Sequence, residues 1–338
     1  MTWQDAPVDF RPKDRAPDSS QQQLTARQVE ELCHRAFGAG TQVRSATELG
    51  LGSYNTTYRV ELDMGPVILR VAPEPARQTR IEREFMRNEY LVAPYFAPIA
   101  PLLPRTLAAD FTHQAIGRDH VFQAVLDGLP VPEVLPTYER AEHGPYFRQL
   151  GTITRAIHDV RGPGFGVVAG PHFARWSEAL VAYFADNAAD VEDAGLDASD
   201  LREVGKHASQ DAGLLDEITE PRLLHGDLWH ANVMLAPDLT ITGVYDHDRS
   251  WWGDPAADWT IRLASAKPGT ERDAFWDTYG SPDPSPESRR RALYYRARHV
   301  GAVRLERHRL GKDGRLAESY TELAEVLDQL RRGHLPAR

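Results

Sequence analysis

The spacing of apolar residues changes character along this chain, and the changes mark out its elements. Val29, Leu32, Cys33, Ala36 and Phe37 recur at helical spacing behind Thr25 and Gln28, the pair a capping box requires. From Val43 to Val71 the period shortens. Residues 57–62, a turn at Asp63-Met64-Gly65-Pro66 and residues 67–71 predict a hairpin. A helix is expected over 79–95, then a Pro-punctuated passage, then a strand at 120–126. Past Asp127-Gly128 helical patterns dominate. Phe147, Leu150, Ile153, Ile157 and Val160 line one helix face that ends near Gly162-Pro163-Gly164, and two further helices fit within 173–213. Short strands at 233–235 and 241–245 flank a turn at Pro237-Asp238, and helices at 286–308 and 316–332 close the pattern. No internal repeat interrupts it.

A β-rich segment followed by an α-rich one predicts an α+β arrangement with two lobes sharing a cleft. Residues 1–22, rich in Pro, Asp, Ser and Gln, are expected to be a disordered tail. Residues 23–125 form the small N-lobe and 126–338 the large helical C-lobe. Composition narrows the classes. A net charge of −10 and a pI near 5.7 argue against a nucleic-acid partner, which needs a clustered basic face, and suit metal ions or a cationic acceptor. The single Cys33 excludes an internal disulfide and fits a reducing cytoplasm. The first residues carry no apolar signal region, and no stretch is long and apolar enough to span a membrane. Monomer and homodimer both fit. Lysines occur only at 13, 206, 267 and 312, so a cation in the middle of the N-terminal sheet must be arginine.

The chemistry concentrates in His225-Gly226-Asp227-Leu228-Trp229-His230-Ala231-Asn232. Asp227 and Asn232 stand five apart, the spacing of a kinase catalytic loop. There a carboxylate accepts the proton of an attacking hydroxyl, and an amide oxygen one loop further holds a metal ion that shields phosphate charge. Asp246 follows at the end of an expected strand, where a second metal-binding carboxylate belongs.

Together with Val244-Tyr245-Asp246 and Gly253-Asp254-Pro255-Ala256-Ala257-Asp258, this loop resembles the aminoglycoside phosphotransferase and choline kinase superfamily. The resemblance implies a protein-kinase-like fold and Mg2+-dependent transfer from ATP or GTP to a small-molecule hydroxyl. Asp227 is then the base, and Asn232 and Asp246 are the metal ligands. Gly50, Gly52, Ser53 and Asn55 sit before the hairpin, where a phosphate-covering loop belongs; Asn55 stands where a third glycine is usual. Arg70 takes the place of the phosphate-gripping lysine, and its guanidinium suits that task. Glu89 best matches the partner acid on the next helix. Gln123 and Val125 fall where the nucleotide base lies in the family. Asp254 and Pro255 read as a cap and first helical residue, and Asp258 as a brace for the catalytic loop.

Six acids and one base, Arg249, lie between His225 and Thr260, a density that calls for cations. Asp248 suits a second metal contact, a substrate contact or a solvated position. Trp229, Trp251, Trp252 and Trp259 either stack on a ring or belong to the core. An antibiotic acceptor (an aminoglycoside, nucleoside or other glycosylated natural product) is the first expectation, and a housekeeping amine, choline-type or sugar acceptor the second. Two other classes compete. His158-Asp159 with His143, Asp227 and His247 could hold the metals of an HD-type phosphohydrolase, and a kinase fold that only binds nucleotide would leave Asp227 without a task.

Overall fold

The computed structural model describes residues 8–14, 21–50, 52 and 54–333. They divide into two compact units. The first runs through Gln78 and resumes over Leu103–Leu126; the second takes Thr79–Leu102 and everything from Asp127.

The first unit is a six-stranded sheet with one helix. Its elements are β1 (Asp9–Arg11), α1 (Ala26–Phe37), β2 (Val43–Leu49), β3 (Thr56–Leu62), β4 (Gly65–Val71), β5 (Thr106–Asp110) and β6 (His120–Ala124). The strand order is β1-β2-β3-β4-β6-β5, antiparallel throughout except for the β1–β2 edge. α1 begins where expected: Thr25 Oγ1 accepts from the Gln28 amide at 3.2 Å, and Gln28 Oε1 accepts from the Thr25 amide at 2.8 Å. Its stripe of Val29, Leu32 and Cys33 packs with Tyr58, Val60, Leu62, Leu69 and Phe122 into one core. β3 buries alternate residues, the period-two pattern of a strand with one face inward. The β3–β4 turn closes on Gly65 at φ +112°, a conformation glycine adopts without cost.

The stretch expected to be a disordered tail is partly structured. Asp9–Arg11 pairs with β2, Phe10 stacks on Tyr58 at 5.9 Å, and Gln21 is buried. Those contacts offset the entropy that composition alone suggested would win.

The second unit is mainly helical. Its helices are α2 (Phe85–Val92), α3 (Val131–Val134), α4 (Gly144–His158), α5 (Trp176–Asp193), α6 (Ser199–Gln210), α7 (Ala212–Leu215), α8 (Trp259–Ser265), α9 (Trp276–Tyr279), α10 (Pro286–Arg309) and α11 (Asp313–Arg332). Two three-stranded sheets join them. One orders β11 (Ile241–Val244), β10 (Val233–Leu235) and β7 (Leu129–Pro130); the other orders β8 (Gly166–Val167), β12 (Trp251–Gly253) and β9 (Arg222–Leu224). Helices α5, α6, α10 and α11 share a core that includes Trp176, Phe184, Tyr294 and Leu323.

The helix expected over 79–95 is broken, and it departs from the small lobe assigned to it. Glu84 takes a left-handed φ of +60°, which confines α2 to Phe85–Val92, and a proline-punctuated 3-10 segment follows. The whole stretch packs in the second unit. Asp190 accepts from the amides of Arg80 at 2.9 Å and Ile81 at 3.0 Å, and Arg309 grips Glu82 through two bonds of 2.9 and 3.0 Å.

Candidate active site

β9 delivers the chain into the loop at His225. Gly226 stands at φ +84°, and a Cβ there would lie 2.1 Å from the Arg249 carbonyl oxygen. Both facts demand glycine. The loop is fastened from below by Asp258, which is 1% exposed. Its Oδ2 accepts from the His225 amide at 2.8 Å and its Oδ1 from the Gly226 amide at 3.1 Å. His158 Nε2 lies 3.0 Å from the same carboxylate, and Tyr279 holds the other ring nitrogen at 2.8 Å. Burial favours the neutral acid, but the bond and charge of His158, with His225, outweigh it and hold the Asp258 carboxyl below the ordinary range. Thr260 Oγ1 donates to the Leu228 carbonyl at 2.8 Å, a further tie from the same helix start. Asp254 caps this segment as expected: it accepts from the Ala256 amide at 3.0 Å and from the Tyr295 hydroxyl at 2.6 Å.

Asp227 and Asn232 are brought together. Asn232 Nδ2 donates to the Asp227 carbonyl at 2.8 Å and to its carboxylate at 3.2 Å. That commits the amide nitrogen and leaves the amide oxygen as the side chain's ligand atom. Burial pushes the Asp227 carboxyl up to about 7; Arg249 opposes this and Asp246 adds to it. The Asp227 side chain keeps 26% of its surface exposed, so the group is desolvated and still reachable.

β10 pairs with β11 so that Val233 faces Val244, and the Tyr245 amide donates to the Asn232 carbonyl at 3.1 Å. This register fixes Asp246 relative to Asn232. Asp246 itself adopts φ +64°, a strained choice for a residue with a Cβ. Carboxylate oxygens of Glu89, Asp246 and Asp248 all lie within 4.8 Å of one another. Asn88 sets this arrangement from α2: its Nδ2 donates to the carbonyls of Asp248 at 2.7 Å and Ser250 at 3.1 Å, and its Oδ1 accepts from the Ala169 amide at 2.9 Å. The three carboxylates form an all-oxygen donor set, which fits a hard divalent cation such as Mg2+. Glu89, expected as the acid facing a phosphate-binding arginine, stands in this cluster. Asp248 is 3% exposed and belongs to it too, so a solvated role is ruled out.

Arg249 and Asn88 escaped the sequence reading. Arg249 Nε lies 3.9 Å from Asp227 Oδ2, and its guanidinium covers the Phe85 ring at 5.5 Å. Burial disfavours the Arg249 cation, but Asp227, Asp248, Glu82 and Glu306 outweigh it. Its signal was isolation, as the one base in an acidic stretch. The imidazoles are structural. His225 is wholly buried and burial pushes it down to about 4, with His247 adding to the shift. Since His158 is held by Asp258 and Tyr279, and His143 by the Tyr138 carbonyl at 3.2 Å, the phosphohydrolase ligand set does not form among the described residues. Trp251 and Trp252 are core, Trp229 is exposed, and Trp259 stacks on His299 at 3.7 Å.

The remaining residues lie in the first unit. Arg70 is buried on β4 between Thr57 and Val121, Gln123 is buried on β6, and Val125 follows that strand. Gln21 Nε2 donates to the carbonyls of Gly52 at 3.1 Å and Asn55 at 2.7 Å, bracing the glycine loop. Lys13 reaches the other glycine, since a Cβ on Gly50 would meet its Nζ at 1.6 Å. Ser53 lies outside the described residues.

Residues 45–294 match the model of the phosphotransferase enzyme family, APH. No curated protein matches the chain. Among solved structures, a thermostable mutant of the aminoglycoside phosphotransferase APH(4)-Ia aligns at 18% identity and a TM-score of 0.63, covering 89% of this chain and 99% of that one. A variant of it in ternary complex with ADP and hygromycin B aligns at 17% identity and 0.62, covering 91% and 100%. The macrolide 2′-phosphotransferase MphH from Brachybacterium faecium aligns at 16% identity and 0.52, covering 92% and 99%. At these identities the likeness speaks for the protein-kinase-like α+β fold.

Proposed function

Because the chain belongs to the phosphotransferase enzyme family, we propose that it moves the γ-phosphoryl group of ATP or GTP onto a hydroxyl of a small molecule, with Asp227 as catalytic base. One observation carries the reading. Asp227 and Asn232 are bonded to each other on a loop that Asp258 fastens, one strand pairing away from an oxygen-only cluster.

In the transfer a bond forms between the acceptor oxygen and γ-phosphorus. The bond from that phosphorus to the bridging oxygen breaks, and the nucleoside diphosphate leaves. The hydroxyl proton passes to the Asp227 carboxylate. Asn232, Asp246, Asp248 and Glu89 are the residues that would hold magnesium, which when bound supplies neutralising charge to the phosphate oxygens. Gly50, Gly52, Ser53 and Asn55 offer backbone and side-chain donors to the phosphates. Arg70 offers a guanidinium, and the backbone at Gln123 and Val125 a place for the base.

The acceptor we propose is an antibiotic-type natural product, which makes the protein a resistance kinase acting in the cytoplasm. Support comes from two structural relatives, an aminoglycoside and a macrolide phosphotransferase. The intact set of Asp227, Asn232 and Asp246 argues against a nucleotide-binding protein without chemistry. The test is Asp227→Asn. Nucleotide consumption in the presence of acceptor should vanish while nucleotide affinity stays close to that of the parent; retained turnover removes Asp227 from the role of base.

A further inference from the structure

The glycine loop is held by the segment of chain that precedes α1. Gln21 is buried, and both bonds of its Nε2 go to that loop, to the carbonyls of Gly52 at 3.1 Å and Asn55 at 2.7 Å. The residues after it are fastened to the same hairpin and its neighbours. The Gln22 carbonyl accepts from Thr56 Oγ1 at 3.2 Å and from Arg118 Nη1 at 3.1 Å, and its Oε1 accepts from the Glu74 amide at 3.3 Å. The Leu24 amide donates to the Tyr58 hydroxyl at 2.9 Å. Upstream, β1 runs beside β2 with Arg11 opposite Thr47; the Lys13 amide then donates to Glu48 Oε2 at 3.0 Å, and Gln23 Nε2 donates to the Lys13 carbonyl.

This strap does two things to the loop. In a trans peptide a carbonyl and the N–H of the following residue point in opposite directions. Two loop carbonyls turned toward Gln21 therefore turn the next N–H groups away from it, which leaves them for another acceptor. The strap also delivers a charge. Lys13 is the first unit's only lysine, it is exposed, and its Nζ has no hydrogen-bond or ion-pair partner among the described residues. That ammonium lies against the loop's first glycine, where a Cβ on Gly50 would meet it at 1.6 Å.

Strand alternation gives the side of the sheet. Phe10 stacks on Tyr58 in the core, so Arg11 falls on the opposite face, and Lys13 two residues on follows it. Leu49, Thr57 and Arg70 pair in one row across β2, β3 and β4, and they share that face because Tyr58 and Leu69 beside them are core. The family match begins at residue 45, so every residue of the strap lies outside it.

We propose that Lys13 binds the triphosphate of the nucleotide from this strap, on the same face as Arg70, and that Gln21 is the positioning residue that holds the glycine loop to receive it. The inference rests on the phosphotransferase reading above, which puts a triphosphate at that loop. A lysine ammonium is a compact charge that suits phosphate oxygens, and successive backbone N–H groups make a concavity for the same anion.

The experiment is calorimetry on the full chain with Mg2+, comparing ATP and GTP with adenosine and guanosine. For the nucleotide that binds, Lys13→Met should lower affinity by about tenfold, the loss of one charge-assisted contact. Affinity for its nucleoside should not change, the triphosphate should lose part of its salt dependence, and Lys13→Arg should restore most of the binding. Gln21→Leu should weaken the triphosphate in the same selective way. Lys13 is exposed, so its variants keep the test open should Gln21→Leu not fold. Unchanged triphosphate affinity in Lys13→Met would leave a solvated lysine and overturn the proposal, as would losses that fall equally on nucleoside and triphosphate. Neither result touches the kinase reading. That reading fails if the parent chain binds neither ATP nor GTP, and the proposal then fails with it.

Discussion

Replacing Asp258 isolates the brace from the chemistry it supports. Its carboxylate accepts from two consecutive loop amides at 2.8 and 3.1 Å and pairs with His158 at 3.0 Å, all out of water. Bonds to a charged acceptor contribute about 1.5–3 kcal/mol each, but they share one anion whose burial has its own cost, so the sum overstates the effect. Removing one partner of a buried charge pair costs about 3–5 kcal/mol, because the groups left behind stay buried and unpaired. Asp258→Ala should therefore destabilise the second unit by about 4 kcal/mol, a large part of the about 5–15 kcal/mol available to a domain. Asp258→Asn keeps the shape and one acceptor, and should lose roughly half as much. Urea unfolding followed by the fluorescence of Trp176, Trp251 and Trp252 reads this unit directly. The pH dependence has a definite sign. Because the folded carboxyl is held low, its stabilisation is complete above the ordinary aspartate value of about 3.9 and disappears as pH falls through the lower folded value. Asp258→Ala should lose that part of the acid limb. An alanine variant within about 1 kcal/mol of the parent, or one with the parent's acid limb, would refute the brace.

Gly226→Ala forces a Cβ to within 2.1 Å of the Arg249 carbonyl at a backbone conformation that alanine resists. The loop must move, and turnover should fall on the order of 100-fold in a chain that still folds by circular dichroism; near-parent turnover would show that the loop tolerates the shift. Asp246→Asn removes one charge from three carboxylates within 4.8 Å and suits the left-handed φ of +64° better. It should raise metal-free thermal stability by about 1–3 kcal/mol while weakening Mg2+ binding in calorimetry and abolishing turnover. Lower stability in the metal-free variant would mean that the cluster is not held together against repulsion.

What could be read from the sequence is what chemistry forces into a short stretch. Asp227 and Asn232 must touch, so their spacing is fixed. Asp258 must reach two successive amides, so it follows a capped turn whose Asp254 and Pro255 announce it. The β3–β4 hairpin and the helix at Thr25 are legible for the same reason: each is specified by neighbours a few residues away. Glu84 escapes this logic. It breaks the expected helix at a left-handed φ with no glycine to signal it, because the segment before it is held by Asp190 and Arg309, partners more than a hundred residues distant. β1 escapes it too, since three residues are too few to show a period of two.

Charge was the quantity composition represented least well. A net charge of −10 is a sum over the chain, and a ligand meets only the groups that line its site. Acids and bases are sorted in space by packing. Glu89, Asp246 and Asp248 converge where α2 meets the turn after β11, while α8 and α10 bring Arg262 and Arg298 beside Arg249. A chain that is acidic on average thus carries an anionic cluster suited to a metal and, next to the same loop, a recess where three arginines face the three acids Glu82, Asp258 and Glu306.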